Sequence, residues 1–464
     1  MRVVRKALAA ATLLAALATL SGCGAAPSAG EAVTTLTYPQ IELGATGKDL
    51  ETTIVFTNSR TDMALDDYWG KRWKDYVAEF NELYPGIHVD VQTDAHYSKN
   101  SPIRLQAKDG SWDIMTIPDN TDKSEYADYF VPYGTVDTMD RQIKLADAAA
   151  YDGETYGVPT DLVAAGMLYN KRVFREAGVD DLPRTPAQYH RALKRVKART
   201  DAIPLYTNYA DAWAVSTWNM YAGVVATGDD TYLNQVMPHV ARPFARDAAE
   251  PDTHPYALYK ILYDAVADGL TEDDYSTTDW NSAKEMLNEG RIATIVIGPW
   301  AVGQTRHAGA HPEDVAYMPF PMTVRGKQYA NLTPNYSMAV NRHVPRARQE
   351  AAMIFVKWMT ERSGFYREEE GIPTQRSNGE MPALYGDFDG VAMRAERPAT
   401  GADTDLSTDV SSDSELGVVG DASDAVRGIV SAAATGAKSY DEVMDDWNDA
   451  WEAAVRANAG GAAG

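Results

Sequence analysis

Few residue patterns in this chain suit bond-making chemistry. There is no P-loop, no G-x-S-x-G elbow and no H-E-x-x-H helix. Among the histidines, His307 and His311 have ligand-like i,i+4 spacing. Gly309 lies between them and no acid occupies the zincin position, so they read as exposed side chains rather than a metal pair. Asp403, Asp405, Ser407 and Asp409 imitate the odd positions of a calcium loop. Leu406 stands where the tight turn needs Gly, and Ser414 stands where a bidentate Glu belongs. The acid runs Asp273-Asp274 and Glu368-Glu369-Glu370 place carboxylates side by side in sequence, where they do not converge as a general acid and base. No metal or cofactor is therefore expected. The chain is instead rich in amphipathic rings, with 26 Tyr and 10 Trp against 9 Phe. Such rings suit surfaces that bind polar ligands.

The elements that must position those rings alternate between strand and helix. Thr53 to Thr57 is a short apolar run typical of a buried strand. Trp69, Trp73, Tyr76, Val77, Phe80 and Leu83 then recur at helical spacing, and Pro85-Gly86 ends that helix. Ile87 to Val91 and Trp112 to Ile117 read as the next strands, which predicts a parallel sheet. Thr185-Pro186-Ala187-Gln188 combines an N-cap, a Pro at N1 and a Gln at N3. Helices are expected over Tyr256 to Ala267, Asn281 to Asn288, Ala347 to Glu361 and around Val443, Trp447 and Trp451. Ile292 to Ile297 is an apolar strand running into Gly298-Pro299-Trp300. Asn331 to Ser337 reads as a polar turn, and Ala399 to Asp424 as an acidic surface excursion.

The length of 464 residues allows two or three domains, and 45% hydrophobic with 23% charged residues is ordinary for a globular protein. A net charge of −23 repels phosphate backbones, so nucleic-acid binding is not expected. The densest basic stretch, His190 to Arg199, reads as a solvated helix face.

The N-terminus reads as a targeting segment. Arg2, Arg5 and Lys6 precede an apolar run from Ala7 to Leu20, too short to span a bilayer comfortably and right for a signal-peptide core. Leu20-Ser21-Gly22-Cys23 then resembles the bacterial lipobox, which implies cleavage before Cys23 and lipid attachment to its sulfur. Cys23 is the one cysteine of the chain, so no internal disulfide forms. Gly24 to Gly47, rich in Ala, Gly, Thr and Ser, reads as a tether.

One series of motifs runs through the body. Tyr156-Gly-Val-Pro-Thr-Asp161-Leu is followed by Met167-Leu-Tyr-Asn-Lys171 and Phe174. Glu289-Gly-Arg-Ile-Ala293, Gly298-Pro-Trp300, Tyr317-Met-Pro-Phe-Pro321 and Gly371-Ile-Pro-Thr-Gln-Arg376 come after. In order and spacing these resemble the sugar-binding lipoproteins of ABC importers, the extracellular solute-binding proteins related to maltose-binding protein. The agreement covers about Thr53 to Arg376, and the chain from Ser377 onward matches poorly.

The resemblance implies an α/β periplasmic-binding-protein-like fold: two lobes, each a parallel or mixed sheet with flanking helices, joined by a hinge. Residues 1–22 would be the signal peptide and 23–49 the lipidated cysteine and tether. Residues 50–160 with 316–370 would form one lobe, and 161–315 with 371–464 the other. Chain crossings are expected at Val158-Pro159, Val315 to Met318 and Gly371 to Pro373. The implied protein is a monomer and not an enzyme. It is held by its lipid on the outer face of the cytoplasmic membrane of a Gram-positive bacterium, and hands a carbohydrate to ABC permease subunits.

Ligand sites in open α/β sheets lie at the carboxyl ends of strands. A sugar presents C–H faces to rings and hydroxyls to carboxylates, amides and guanidinium groups. The candidates that follow are Ser59 and Arg60 after the first strand, Asp119 and Asn120 after the third, and Trp300 after Gly298-Pro299. Asp161, Tyr336 and Arg376 join them, as does the segment Tyr209-Ala-Asp211-Ala-Trp213. Trp69 is expected on the core face of its helix, and Trp213 is favoured over Trp218 for the cleft. A secreted glycoside hydrolase and a peptide-binding relative of the same fold stay open as alternatives.

Overall fold

The computed structural model describes residues 33–118, 121–419 and 424–461. The expected leader and lipobox with Cys23, and the candidates Asp119 and Asn120, lie outside the described residues. The main strands are Thr52–Asn58 (β1), Ile87–Thr93 (β2), Ile114–Thr116 (β3), Val158–Ala164 (β4), Gly166–Asn170 (β5), Ile203–Tyr206 (β6), Ile292–Ile295 (β7), Val315–Pro319 (β8), Tyr329–Val340 (β9) and Ala392–Arg394 (β10). The longer helices are Trp73–Leu83 (α1), Tyr97–Ala107 (α2), Pro186–Arg199 (α3), His254–Ala267 (α4), Trp280–Asn288 (α5), Trp300–Arg306 (α6), Arg346–Glu361 (α7), Leu406–Asp413 (α8), Ala425–Thr435 (α9) and Tyr440–Gly461 (α10). Among the described residues no helix is long and apolar enough to cross a membrane.

In the first lobe, β1 pairs in parallel with β2, Thr52 opposite Ile87, and with β3, Phe56 opposite Ile114. Parallel neighbours need crossover connections, which α1 and α2 supply. α1 buries Trp73, Tyr76 and Phe80 at i, i+3 and i+7. Trp73 meets Phe56 edge-on at 5.3 Å, and Ile354, Phe355 and Trp358 of α7 join the same core. Each such ring contributes roughly 1.5–3 kcal/mol on burial.

The second lobe is built on a sheet ordered β8-β5-β7-β6, with β6 and β7 parallel and the other pairs antiparallel. α3 begins as its sequence dictates: Pro186 takes the first helical position and the Thr185 hydroxyl accepts from the Gln188 amide at 3.2 Å. Tyr259 and Leu262 of α4, Ile429 and Val430 of α9, and Trp447 and Trp451 of α10 share the core of this lobe with Leu193, Leu205 and Trp218.

The lobes are tied by strands that run side by side. β9 pairs antiparallel with β3 (Met338 opposite Thr116) and with β4 (Asn335 opposite Asp161, Leu332 opposite Ala164). Ile372 adds a bridge to Leu162, with reciprocal N–H···O bonds of 2.7 and 2.8 Å. Several expectations change here. The supposed tether Gly24 to Gly47 is packed on the first lobe from residue 33 onward, because Tyr38 and Ile41 are buried in its core. Val315–Pro319 is an edge strand of the second sheet, and the return crossing is β9, which contains the supposed polar turn Asn331 to Ser337. The acidic excursion holds a helix, α8, because Ser407, Val410 and Ser411 fall on one face and are buried.

Candidate binding cleft

One wall of the cleft belongs to the second lobe and is made of indoles. β7 leads through Gly298-Pro299 into α6, whose first residue is Trp300. The indole folds back over Gly298, where a Cβ would stand 2.5 Å from Trp300 Nε1, so only glycine fits beneath the ring. Trp213 lies 5.7 Å from Trp300, and Trp280, the first residue of α5, lies 5.9 Å from Trp300. Trp213 and Trp280 are 6.5 Å apart, nearly edge to face. Trp280 is buried, Trp300 is half-buried and Trp213 is 43% exposed, so the cluster rises from the core to the surface. The loop ahead of Trp213 is stitched to the segment ahead of α5. The Tyr209 amide donates to Thr278 Oγ1 at 3.0 Å, the Ala210 amide to Thr278 O at 2.9 Å, and the Trp280 amide to Asp211 Oδ2 at 2.7 Å. Lys284, one turn along α5, places its ammonium 5.5 Å from the Trp280 ring centre.

The facing wall comes from the first lobe. Arg60, just past β1, is buried. Its Nη1 donates to Glu369 Oε2 at 2.5 Å, its Nε and Nη2 to Asp62 at 2.9 and 3.0 Å, and Nη2 also to the Tyr68 hydroxyl at 3.0 Å. Burial opposes the charge on Arg60, but Tyr336, Glu369 and Asp62 outweigh it and hold the guanidinium well above its ordinary value. Its donors are spent inside the lobe, so Arg60 braces the wall. Trp69 precedes α1 and is 37% exposed, not on the core face of that helix. Its ring stacks on His307 at 4.0 Å and 5°. A Cβ at Gly303 would come within 2.9 Å of the same indole. Gly303 is on α6 and His307 caps it, so Trp69 carries the first lobe directly onto the helix that begins with Trp300.

The crossing strands bury a polar cluster. Asp161 is fully buried; the Thr160 hydroxyl donates to Oδ1 at 2.7 Å and Asn335 Nδ2 lies 3.3 and 3.2 Å from the two oxygens. Burial, reinforced by Glu369, pushes its carboxyl up to about 7. A side chain at Gly371 would run into this carboxylate, so the third crossing backs closely onto it. Tyr336 sits at φ +45°, a conformation that bulky residues rarely adopt. It is held against Arg60 (5.9 Å) and Phe365 (6.2 Å).

The sequence candidates therefore fall into groups. Asp211, Trp213 and Trp300 meet in one wall. Tyr209 stands behind it, its hydroxyl 2.9 Å from Ser431 Oγ. Arg60 and Tyr336 meet in the other wall, with Ser59 exposed beside them, and Asp161 is buried within the crossing strands. Arg376 is engaged by Asp140, and its amide donates to Gln142 O at 3.0 Å, partners outside both walls. Trp218 is a core residue packed 5.7 Å from Phe320. Trp69, Trp280, Lys284, Asn335 and Glu369 are additional members that sequence reasoning missed. For Trp280 a signal existed in Asp279, which caps α5 through the Ser282 amide and fixes the ring on the first turn. His311, Glu313 and Asp314 bring metal-ligating atoms within 4.8 Å of one another on a surface segment, but Arg172 already pairs with Asp314 at 3.1 Å.

Residues 67–364 match the family described as bacterial extracellular solute-binding protein. A manno-oligosaccharide-specific solute-binding protein from Bifidobacterium animalis subsp. lactis, solved with mannotriose, is 52% identical. It superposes with a TM-score of 0.88 over 91% of this chain and 99% of its own. A second binding protein of an ABC transporter from the same organism, solved with mannobiose, gives the same identity, TM-score and coverage. The diacetylchitobiose-binding protein of Streptomyces coelicolor is 26% identical over 55% of this chain, which spans 57% of that relative's length.

Proposed function

The chain belongs to the bacterial extracellular solute-binding protein family, and from that premise we propose that it captures an oligosaccharide between its lobes and delivers it to an ABC importer. The observation that carries this reading is the indole wall: Trp213, exposed at 43%, rests on Trp300 and Trp280 and faces a lobe that contributes Trp69. A pyranose laid on Trp213 would bury its C–H face while its edge hydroxyls stay free for polar groups. Trp69 touches α6 across the gap, so a ligand touching both walls would favour the closed arrangement by its differential affinity. The bound mannotriose and mannobiose of the relatives at 52% identity make manno-oligosaccharides the first ligands to try.

The further features of this reading are a monomer that binds without turnover, and a lipid on Cys23 that holds it to the outer face of a Gram-positive cytoplasmic membrane. The lobe division at 50–160 with 316–370 and 161–315 with 371–464 belongs to it as well, amended so that the strand Val315–Pro319 counts with the second lobe, whose sheet it edges. Thermal-shift and calorimetric titration with mannobiose, mannotriose, diacetylchitobiose and a peptide mixture, followed by product analysis, tests it. Saturable binding of an intact oligosaccharide is expected. Sugar cleavage, or stabilisation by peptides alone, would select one of the alternatives.

A further inference from the structure

We infer that Arg427 is a positioning residue for this cleft: from α9 it clamps the loop that presents Trp213. The inference rests on the carbohydrate-binding reading for its affinity arm and stands on geometry otherwise. α9 lies outside the stretch that matches the family. Its apolar face, Val426, Ile429, Val430, Ala432 and Ala433, is buried in the second-lobe core. Its other face turns Arg427 and Ser431, one turn apart, toward Tyr209. Arg427 Nε donates to Tyr209 O at 2.7 Å and Nη2 to Ala210 O at 2.5 Å, while Nη1 bonds Asp424 at 2.9 Å. The guanidinium carbon also lies 5.4 Å from the Tyr209 ring centre, and Ser431 holds the hydroxyl of that ring at 2.9 Å.

One planar fork thus takes two consecutive carbonyls, a geometry that guanidinium offers and an ammonium does not. The loop needs such a hold. It turns through Asn208 at φ +55°, and three residues after Ala210 comes an indole that is 43% exposed. The bonds that the Tyr209 amide donates to Thr278 and the Trp280 amide donates to Asp211 fix the side of the loop that faces α5. Arg427 fixes the opposite side. Without it two carbonyls lose a charged donor and the Trp213 ring can leave its packing on Trp300. Because α9 is anchored by its apolar face, replacing Arg427 leaves the helix docked. A site held loosely by its supporting residues loses affinity without losing its fold.

The test compares wild type, R427M, R427K, W213F and the R427M/W213F double variant. R427M keeps the apolar stem over Tyr209 and removes the fork. Three quantities are read: apo melting temperature, the near-ultraviolet circular dichroism of the apo protein, and calorimetric affinity for mannotriose. R427M is expected to melt near wild type, to lose the part of the tryptophan spectrum that W213F also loses, and to bind mannotriose at least ten-fold more weakly. In the double variant the second substitution should change the spectrum little further. A folded R427M with a wild-type spectrum, or with wild-type affinity, overturns the inference. If R427M melts far below wild type, R427K decides. A folded R427K with wild-type spectrum and affinity overturns the inference, and a partial loss of both upholds it. If the wild-type protein binds no carbohydrate, the proposed function fails while the apo spectra still decide the positioning role.

Discussion

Replacing Asp161 with Asn should remove a loss of stability that the wild-type protein undergoes as pH rises from about 4 to 7. The carboxyl is fully buried between the crossing strands and is pushed up to about 7 from its ordinary value of 3.8, first by burial and then by Glu369. A raised folded-state value means that the native protein holds a proton which the unfolded chain has released between about pH 4 and 7. The stability attached to the protonated form is complete below the unfolded value and is lost as pH rises through the folded one. Each unit is worth about 1.36 kcal/mol, so a shift of about three units gives a ceiling of about 4 kcal/mol. Burial also pushes Glu369 up and it acts on Asp161, so the two titrate together and the curve reports the pair. An Asn at this site keeps the shape and an acceptor for the Thr160 hydroxyl, but presents an amide to Asn335. That mismatch adds an offset that does not vary with pH. Urea unfolding of wild type and D161N from pH 4 to 8 separates slope from offset. The difference in unfolding free energy should move in favour of D161N by up to about 4 kcal/mol across that range and level off above pH 7. Parallel curves over the whole range would refute the buried, ionising carboxyl.

Further outcomes follow from the walls and the leader. W213A should weaken oligosaccharide binding by about 2–4 kcal/mol, roughly 30- to 1,000-fold, and leave the apo melting temperature near wild type, because the residue sits at the surface, 43% exposed. W300A should lower both affinity and melting temperature, since that ring also packs on Trp280. G303L should drive a side chain into Trp69 and oppose closure. Small-angle scattering with saturating ligand should then show less compaction than wild type, and equal compaction would remove Trp69 from the closing contact. C23A should abolish membrane retention or leave the precursor mass unprocessed, as fractionation with mass spectrometry reads directly.

Much of the scaffold is legible in the sequence because its signals are local. Thr185 and Pro186 set the start of α3 through one hydroxyl and one fixed φ, and Trp73, Tyr76 and Phe80 mark the buried face of α1 by spacing alone. Trp300 is legible for the same reason, since Gly298-Pro299 constrains the chain immediately before it. What sequence reasoning misses depends on the third dimension. Trp213, Trp280 and Trp300 meet through three separate elements, and Arg60 finds Glu369 across 309 residues. Asn331 to Ser337 looks like a turn because its polar residues are counted against burial. In the crossing strand they face partners instead, as Asn335 faces Asp161. α8 escapes notice because its buried face is mostly serine.

On this reading a carbohydrate binds between the indole wall and the first lobe. A crystal structure of the protein grown with saturating mannotriose tests it most directly. A pyranose face against Trp213, with further ligand atoms in contact with the first lobe, is the predicted result. Well-diffracting crystals with the sugar bound elsewhere, or with an empty cleft at saturating ligand, would contradict it.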